Sequence, residues 1–310
     1  MRALIVGGSG MVGANLARRL LQEGWQTTAV SRRARGAVRL AGLDGLRTLD
    51  ADCRDADAMI SAVAAAAPDI IFHLASSSFN PPTTSAQDHL AVNAMGAINV
   101  LEAALTQRVH RVVMTGSAAE YGSGGGLSES AATRPGNVYG ATKLCASVLG
   151  ETYARSFGLP VVNLRLFTPF GPWERPGRLI PSAILSALAG KPVPIGSGAP
   201  ERDFLFVEDA VDALVAAAVR PLEPGTTFNI CSGRGTTVRQ AVESVLELMQ
   251  SRVPIESSGA QRPDEILKMS GDRSAAARQL DWRPRHDLRT GLEKTIAWFS
   301  AHADLAPALA

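Results

Sequence analysis

The opening segment of this chain restricts its fold more than any other stretch. An apolar run at residues 3–6 leads straight into Gly7-Gly8-Ser9-Gly10-Met11-Val12-Gly13, and a helical pattern continues over 11–23. A strand, a G-x-x-G-x-x-G turn and a helix in immediate succession form a unit whose turn is built for close approach. Gly7 permits the tight turn, Gly10 lets the backbone come near a pyrophosphate, and Gly13 lets the helix pack against the strand. The first N–H groups of the helix lack internal partners and carry the positive end of its dipole, which favours a phosphate there. Gly7, Gly10, Met11, Val12 and Gly13 are the first candidate ligands of a dinucleotide.

The alternation continues along the chain. Strand-like runs at 27–30, 70–74, 111–115 and 161–166 are separated by helical patterns at 56–66, 90–105 and 138–157. Strands apolar on both faces, with helices between them, specify right-handed crossovers and a parallel sheet covered on both sides. The expected fold is α/β, a doubly wound parallel sheet with a smaller, mostly helical C-terminal lobe. Pro and Gly crowd 169–200, where the rhythm changes. Residues 204–207 and 227–230 read as strands around a helix at 208–219, and the chain from 238 onward reads as helical with an Arg/Pro-rich connector at 254–263. The nucleotide-binding domain is assigned to 1–166 with 204–231 returning to it, and the second lobe to 167–203 and 232–310. The Ala-rich tail, 303–310, reads as frayed.

Charge and cysteine usage narrow the function classes. The 31 basic and 29 acidic residues leave a net +2, which gives no electrostatic case for nucleic acid or a membrane surface as partner. Cys53, Cys145 and Cys231 lie far apart and the five histidines are scattered, so neither a disulfide framework nor a metal site is expected. No apolar stretch is long enough to span a bilayer. The chain opens directly into a strand rather than a targeting segment, and a cytoplasmic location is expected.

The second strand indicates which dinucleotide. Folds that use NAD usually place an acid about 20 residues beyond the glycines, bonded to the adenosine ribose. Here the strand ends Ala29-Val30-Ser31-Arg32-Arg33, with Arg35 following and no acid nearby. A guanidinium grips a 2′-phosphate through charge-assisted, bidentate bonds, whereas a carboxylate repels it. Arg32 and Arg33 therefore favour NADP(H), with NAD(H) as the alternative. A solvated basic loop in an arginine-rich chain is the other reading of these residues.

Tyr139 and Lys143 are four residues apart in the 138–157 helix and share one face. Taken alone they form an ordinary surface pair, but the chain has only three tyrosines, and Ser117 lies just beyond the preceding strand, in Gly116-Ser117-Ala118-Ala119-Glu120-Tyr121-Gly122. With the glycine turn, these residues resemble the extended short-chain dehydrogenase/reductase family, in its nucleotide-sugar branch. That family carries a Ser or Thr four residues before a Tyr-Gly pair, then Tyr-x-x-x-Lys. The resemblance runs nearly end to end. It includes Phe72-His73-Leu74-Ala75, Asn93 to Gly96 and Asn99 to Glu102, then Arg165 to Thr168 and Gly171-Pro172. It continues through Leu179-Ile180-Pro181, Arg202-Asp203-Phe204, Val207-Glu208-Asp209, Arg262-Pro263-Asp264-Glu265 and Leu280 to Pro284.

The resemblance implies roles. Tyr139 exchanges a proton with a sugar oxygen, Ser117 holds that oxygen, and Lys143 binds the cofactor ribose and stabilises the phenolate. A phenol ordinarily titrates near 10, far from neutrality, so a nearby ammonium suits this task. Asp52, Cys53, Leu74, Ala75, Ser76 and Asn93 join Tyr139 and Lys143 along the cofactor. Ser117, Thr168, Leu179, Arg202 and Arg262 are placed on the substrate, a nucleotide-diphosphate sugar, with the arginines against its diphosphate. Thr168 stands where many members have Asn. His73 is expected to cap a strand rather than to react. A homodimer through the helices at 90–105 and 139–157 is implied as well.

Dehydratases of this branch carry an acid two residues before the Tyr of Tyr-Gly, often with another beside it, where this chain has Ala118-Ala119. Glu120 is one residue displaced and, in an extended segment, would face the opposite side. The expected reaction is NADPH-dependent reduction of the C4 keto group of a nucleotide-activated 4-keto-6-deoxysugar. A 4-epimerase with retained NAD is the alternative. A non-catalytic NAD(P)-binding sensor or scaffold on the same fold is an alternative of another class.

Overall fold

The computed structural model of the protein describes residues 1–77, 84–260 and 265–309. Strands β1 (Arg2–Val6), β2 (Gln26–Ser31), β3 (Arg47–Asp50), β4 (Ile70–His73), β5 (Arg111–Ser117), β7 (Val161–Leu166) and β12 (Thr226–Ile230) build one sheet. Its order is β12-β7-β5-β4-β1-β2-β3, and every neighbouring pair is parallel. The α/β, doubly wound expectation holds. Alternate side chains of each strand feed two separate cores. Ile5, Phe72, Val113 and Leu164 meet α1 (Met11–Gln22) and α7 (Val207–Val219) on one face. Leu4, Ile71, Val112 and Met114 meet α2 (Ala56–Ala66), α4 (Gly96–Gln107) and α5 (Val138–Phe157) on the other. Each such side chain, fully buried, contributes roughly 1.5–3 kcal/mol from removal of its surface from water.

Caps fix where the helices begin. The Asp55 carboxylate accepts from Ala58 N–H at 3.0 Å and the Asn137 side chain from Gly140 N–H at 2.8 Å. Gly158, in the left-handed region, closes α5. The helix expected over 90–105 starts earlier and is interrupted. A capping box between Ser85 and Asp88 opens α3 (Ala86–His89), a wide π-type turn spans Leu90–Met95, and regular α-helix resumes at Gly96. Strand β3 was missed by the pattern because Arg-Thr-Leu-Asp shows no apolar alternation and sits at the sheet edge, half exposed.

Outside the large sheet, the remaining strands form small pairs. Parallel pairs join β8 (Thr168–Phe170) to β11 (Phe204–Phe206), β9 (Val193–Ile195) to β14 (Ile255–Ser257), and β6 (Gly124–Leu127) to β15 (Met269–Gly271). An antiparallel pair joins β10 (Glu201–Arg202) to β13 (Thr236–Thr237). Phe170, Phe204 and Phe206 enter a third core with α6 (Leu179–Leu188), α8 (Val238–Leu248) and α10 (Leu288–Ala301), while Leu205 turns into the main sheet's core. Of the segment 204–231, β12 joins the large sheet and β11 does not. The short helix α9 (Ser274–Gln279) packs beside β12. The tail is ordered rather than frayed over 303–309. It forms two helical turns, Leu309 is buried, and its carbonyl accepts from Arg39 Nη2 at 3.1 Å. No helix among the described residues is long and apolar enough to cross a membrane.

Candidate active site

The strand order reverses between β1 and β4, which opens a crevice at their carboxyl ends. The glycine turn lines it. Gly7 has φ +91°, and a Cβ there would lie 2.5 Å from Ala75 N. A Cβ on Gly13 would lie 2.5 Å from the Gly7 carbonyl oxygen. Both contacts exclude any side chain, so the turn presses directly on the Leu74–Ala75 backbone after β4. Helix α1 starts at Gly10 with no side-chain cap and no acid in its first turn. Its N–H groups are thus kept for an anion, the arrangement a pyrophosphate requires.

A cleft of about 700 Å³ lies at the ends of β2 and β3, lined by Ser9, Ser31, Arg32, Arg33, Asp50, Ala51 and Asp52. The acids on its rim are engaged. Asp50 accepts from Arg35 N–H at 3.0 Å and faces that guanidinium at 3.7 Å. Asp52 is held by Arg54 at 2.6 Å, whose hydrogen bonds pull its carboxyl below the ordinary range. The Ser31 hydroxyl is buried and has no hydrogen-bond partner, a residue the sequence reading passed over. Its signal was position alone: it ends the strand where an acid would bind a ribose. A buried hydroxyl left unpaired is costly, and a cofactor oxygen there would satisfy it. The glycine cradle, the uncapped helix and this hydroxyl fit a dinucleotide.

Cys53 and Asn93 serve the scaffold. The Cys53 thiol, pushed up to about 11 by burial, packs where a Cβ on Gly96 would come within 2.9 Å. Asn93 Oδ1 accepts from Ser77 N–H at 3.0 Å and from the Ser76 hydroxyl at 3.1 Å, while its Nδ2 donates to Thr142 Oγ1 at 2.9 Å. Asn93 therefore ties the segment after β4, including Ser76, to the helix turn that carries Lys143.

At the reaction end, the first turn of α5 presses on a 3₁₀ turn, Ala118–Glu120. A Cβ on Gly140 would lie 2.4 Å from the Ala119 carbonyl oxygen. Tyr139 packs, half-buried, against the cluster of Ala118, Ala119, Tyr121, Phe167 and Met269. The His89 ring meets it edge-on, with centroids 5.9 Å apart, and is itself 2.6 Å from the Ser77 hydroxyl through Nδ1. Lys143 is buried, and its ammonium donates to the Thr115 carbonyl. Ser117 Oγ accepts from Ala119 N–H at 3.2 Å, which leaves the hydroxyl proton for another partner. His73 ends β4, buried, and burial followed by the Lys143 charge lowers its imidazole to about 3. It is neutral throughout the physiological range.

Glu120 departs from the sequence argument. The segment is a 3₁₀ turn and not extended, so two-residue alternation does not apply. Its carboxylate is nonetheless withdrawn: fully buried, it accepts from Ser117 N–H at 2.7 Å, the Ser147 hydroxyl at 2.9 Å and Arg165 Nε at 2.7 Å. Ser117 and Glu120 form a capping box, legible in advance as Ser-x-x-Glu.

In the second lobe, Thr168 is half-buried with its N–H on the Asp203 carbonyl at 3.0 Å, and Leu179 opens α6 at the edge of the third core. Arg202 Nη1 donates to the carbonyls of Glu201 at 2.9 Å and Ile266 at 2.6 Å, and Nη2 lies 3.8 Å from Glu265. Arg262 lies outside the described residues. Beside Arg202, the buried Asp203 carboxylate gathers the N–H groups of Ser232, Gly233 and Gly271 at 2.7, 3.0 and 3.1 Å. It ties β11 to β15 and to the loop after β12.

The family pattern of the NAD dependent epimerase/dehydratase family matches residues 3–231. The chain belongs to that family. A dTDP-glucose 4,6-dehydratase of Neisseria meningitidis is 30% identical over 261 residues, 75% of this chain and 72% of the relative. Epimerase Mth375 of Methanothermobacter thermautotrophicus is 28% identical with a TM-score of 0.92, over 98% of this chain and 94% of its own. MoeE5, solved with UDP-glucuronic acid and NAD, is 30% identical with a TM-score of 0.89, over 97% and 99%.

Proposed function

We propose that this family member reduces the C4 keto group of a nucleotide-activated 4-keto-6-deoxysugar with NADPH. The observation that carries the reading is the wall formed by Ala118 and Ala119. Both methyls are buried against Phe167, Met269 and Tyr139, where the dehydratases of the branch carry their acids. With Glu120 withdrawn into the scaffold, the turn presents no carboxyl to drive elimination of water. The arginine pair at the cleft rim supports NADP(H) over NAD(H).

Bound at the crevice, the nicotinamide supplies hydride. The chain's own residues do the rest. Tyr139 delivers a proton to the carbonyl oxygen as it becomes a hydroxyl, and Ser117 donates a hydrogen bond to that oxygen while charge develops on it. Lys143, held through the Thr115 carbonyl and one helical turn from Tyr139, is assigned to stabilising the phenolate and to the cofactor ribose. Thr168, Leu179, Arg202 and Arg262 hold the nucleotide-sugar from the second lobe. Self-association is assigned to the segments 90–105 and 139–157, where Leu90, Met95, Val148 and Phe157 are exposed; sedimentation as a monomer at working concentration removes that assignment.

Epimerisation is the second reading, favoured by the similarity to Mth375. The same Ser, Tyr and Lys serve it. A panel of nucleotide-4-keto-6-deoxysugars with NADPH, followed at the nicotinamide absorbance, tests the proposal. Stoichiometric NADPH consumption supports reduction. Interconversion of hexoses by protein carrying tightly bound NAD, with no added cofactor, contradicts it.

A further inference from the structure

We propose that the buried Glu120–Arg165 ion pair is a positioning device for Ser117, fixing the strand end from which the hydroxyl reaches the reacting oxygen. The inference deepens the reading above and rests on Ser117 holding that oxygen.

The pair lies in the interior, and both carboxylate oxygens are engaged. Glu120 is fully buried and Arg165 is 5% exposed, and they pair at 2.7 Å. One carboxylate oxygen takes the Ser117 N–H and the Ser147 hydroxyl, and the other takes Arg165 Nε. Arg165 then donates through Nη1 to the Tyr121 hydroxyl at 2.8 Å, with its guanidinium 4.8 Å from the centre of that ring. The Tyr121 hydroxyl donates to Asn229 Oδ1 at 2.8 Å, and Asn229 Nδ2 donates to the Leu127 carbonyl at 2.8 Å. The chain of bonds therefore runs from Ser117, at the end of β5, through β7 and β12 to β6, which pairs with β15. Gly116 completes it, since a Cβ there would lie 2.5 Å from Glu120 Oε1.

The physical consequence is preorganisation. The Ser117 backbone is bonded to a charged acceptor while its Oγ takes the Ala119 N–H, so the hydroxyl keeps one direction free for donation. A hydrogen bond to an ionised acceptor is shorter and stronger than one to a neutral group. Displacement of a reacting or stabilising group by about 1 Å costs up to a hundred-fold in rate.

Two variants separate positioning from mere stability. Removing one member of a buried pair strands the other charge, whereas replacing both by apolar side chains restores stability. Glu120→Gln is expected to lower kcat about ten- to a hundred-fold, with the Kd for NADPH within two-fold of the parent. In the double variant Glu120→Ala/Arg165→Met, Tm returns toward the parent value while kcat stays low. Recovery of kcat together with Tm overturns the proposal. A second measurement does not need turnover: amide exchange at Ser117 by NMR, with NADPH bound. It is expected to be at least ten-fold faster in the double variant, and unchanged exchange overturns the proposal. Absence of 4-keto-sugar reduction in the parent protein counts against the reductase reading, while the exchange measurement still decides the role of the pair.

Discussion

The two ends of the crevice are built on opposite plans. Behind Ser117, Glu120, Arg165, Tyr121 and Asn229 bond one another in the interior. At the β2–β3 rim, Arg32 and Arg33 line an open cleft and the Ser31 hydroxyl has no partner. On the proposed reading, the end that holds Ser117 is fixed by the protein before any ligand arrives, as stabilisation of a developing charge demands. On the same proposal the β2–β3 rim is left for the ligand to complete. The side chains there are charged, solvated and adaptable, which suits binding more than chemistry.

The comparison breaks first at the shared floor, the glycine turn. Gly13→Val puts side-chain atoms beyond a Cβ already within 2.5 Å of the Gly7 oxygen. NADPH affinity, read by fluorescence titration, is expected to be lost, with a lower thermal midpoint because the turn backbone must shift to admit the side chain. Next comes the rim. Arg32→Ser/Arg33→Ser removes the charge-assisted bonding proposed for a 2′-phosphate, worth roughly 1.5–3 kcal/mol in all at this solvated rim. The expected result is a ten- to hundred-fold rise in the KM for NADPH with little change for NADH; equal change for both cofactors would return the arginines to a solvated loop.

The smallest effect belongs to neither end. Glu174, in the loop after β8, is buried with Oε2 unpartnered, and burial raises its carboxyl to about 7 although Arg178 lies 3.4 Å away. The folded state thus holds a proton that the unfolded chain releases above about 4.5. Stability falls as pH rises from about 4.5 to 7 and is level above that, the loss being on the order of 3 kcal/mol. Glu174→Gln removes this slope and raises the denaturation midpoint at pH 8. Both ends of the crevice keep their kinetics, measured at saturating NADPH.

Much of the fold was legible because its signals are local. Asp55, Asn137 and Gly158 bound their helices, and two-faced apolar runs mark buried strands. Ser117, Tyr139 and Lys143, proposed as the catalytic trio, stand out by spacing and resemblance. What escaped depends on tertiary neighbours. Strand β3 has no pattern of its own and exists because β2 offers it an edge. The paired strands of the second lobe are two or three residues long, too short for any periodicity. Leu309 is ordered because Arg39, far away in sequence, takes its carbonyl. Glu120 was visible as Ser-x-x-Glu but was read by the alternation rule of a strand, which a 3₁₀ turn does not obey.

The central claim is that Tyr139 and Lys143 form the proton-transfer pair of a reductase. Steady-state turnover of Tyr139→Phe with NADPH and dTDP-4-keto-6-deoxyglucose, or whichever sugar of the panel the parent reduces, tests it most directly. The account predicts loss of kcat by about a hundred- to ten-thousand-fold, with NADPH affinity unchanged. Turnover retained at the parent rate would contradict it.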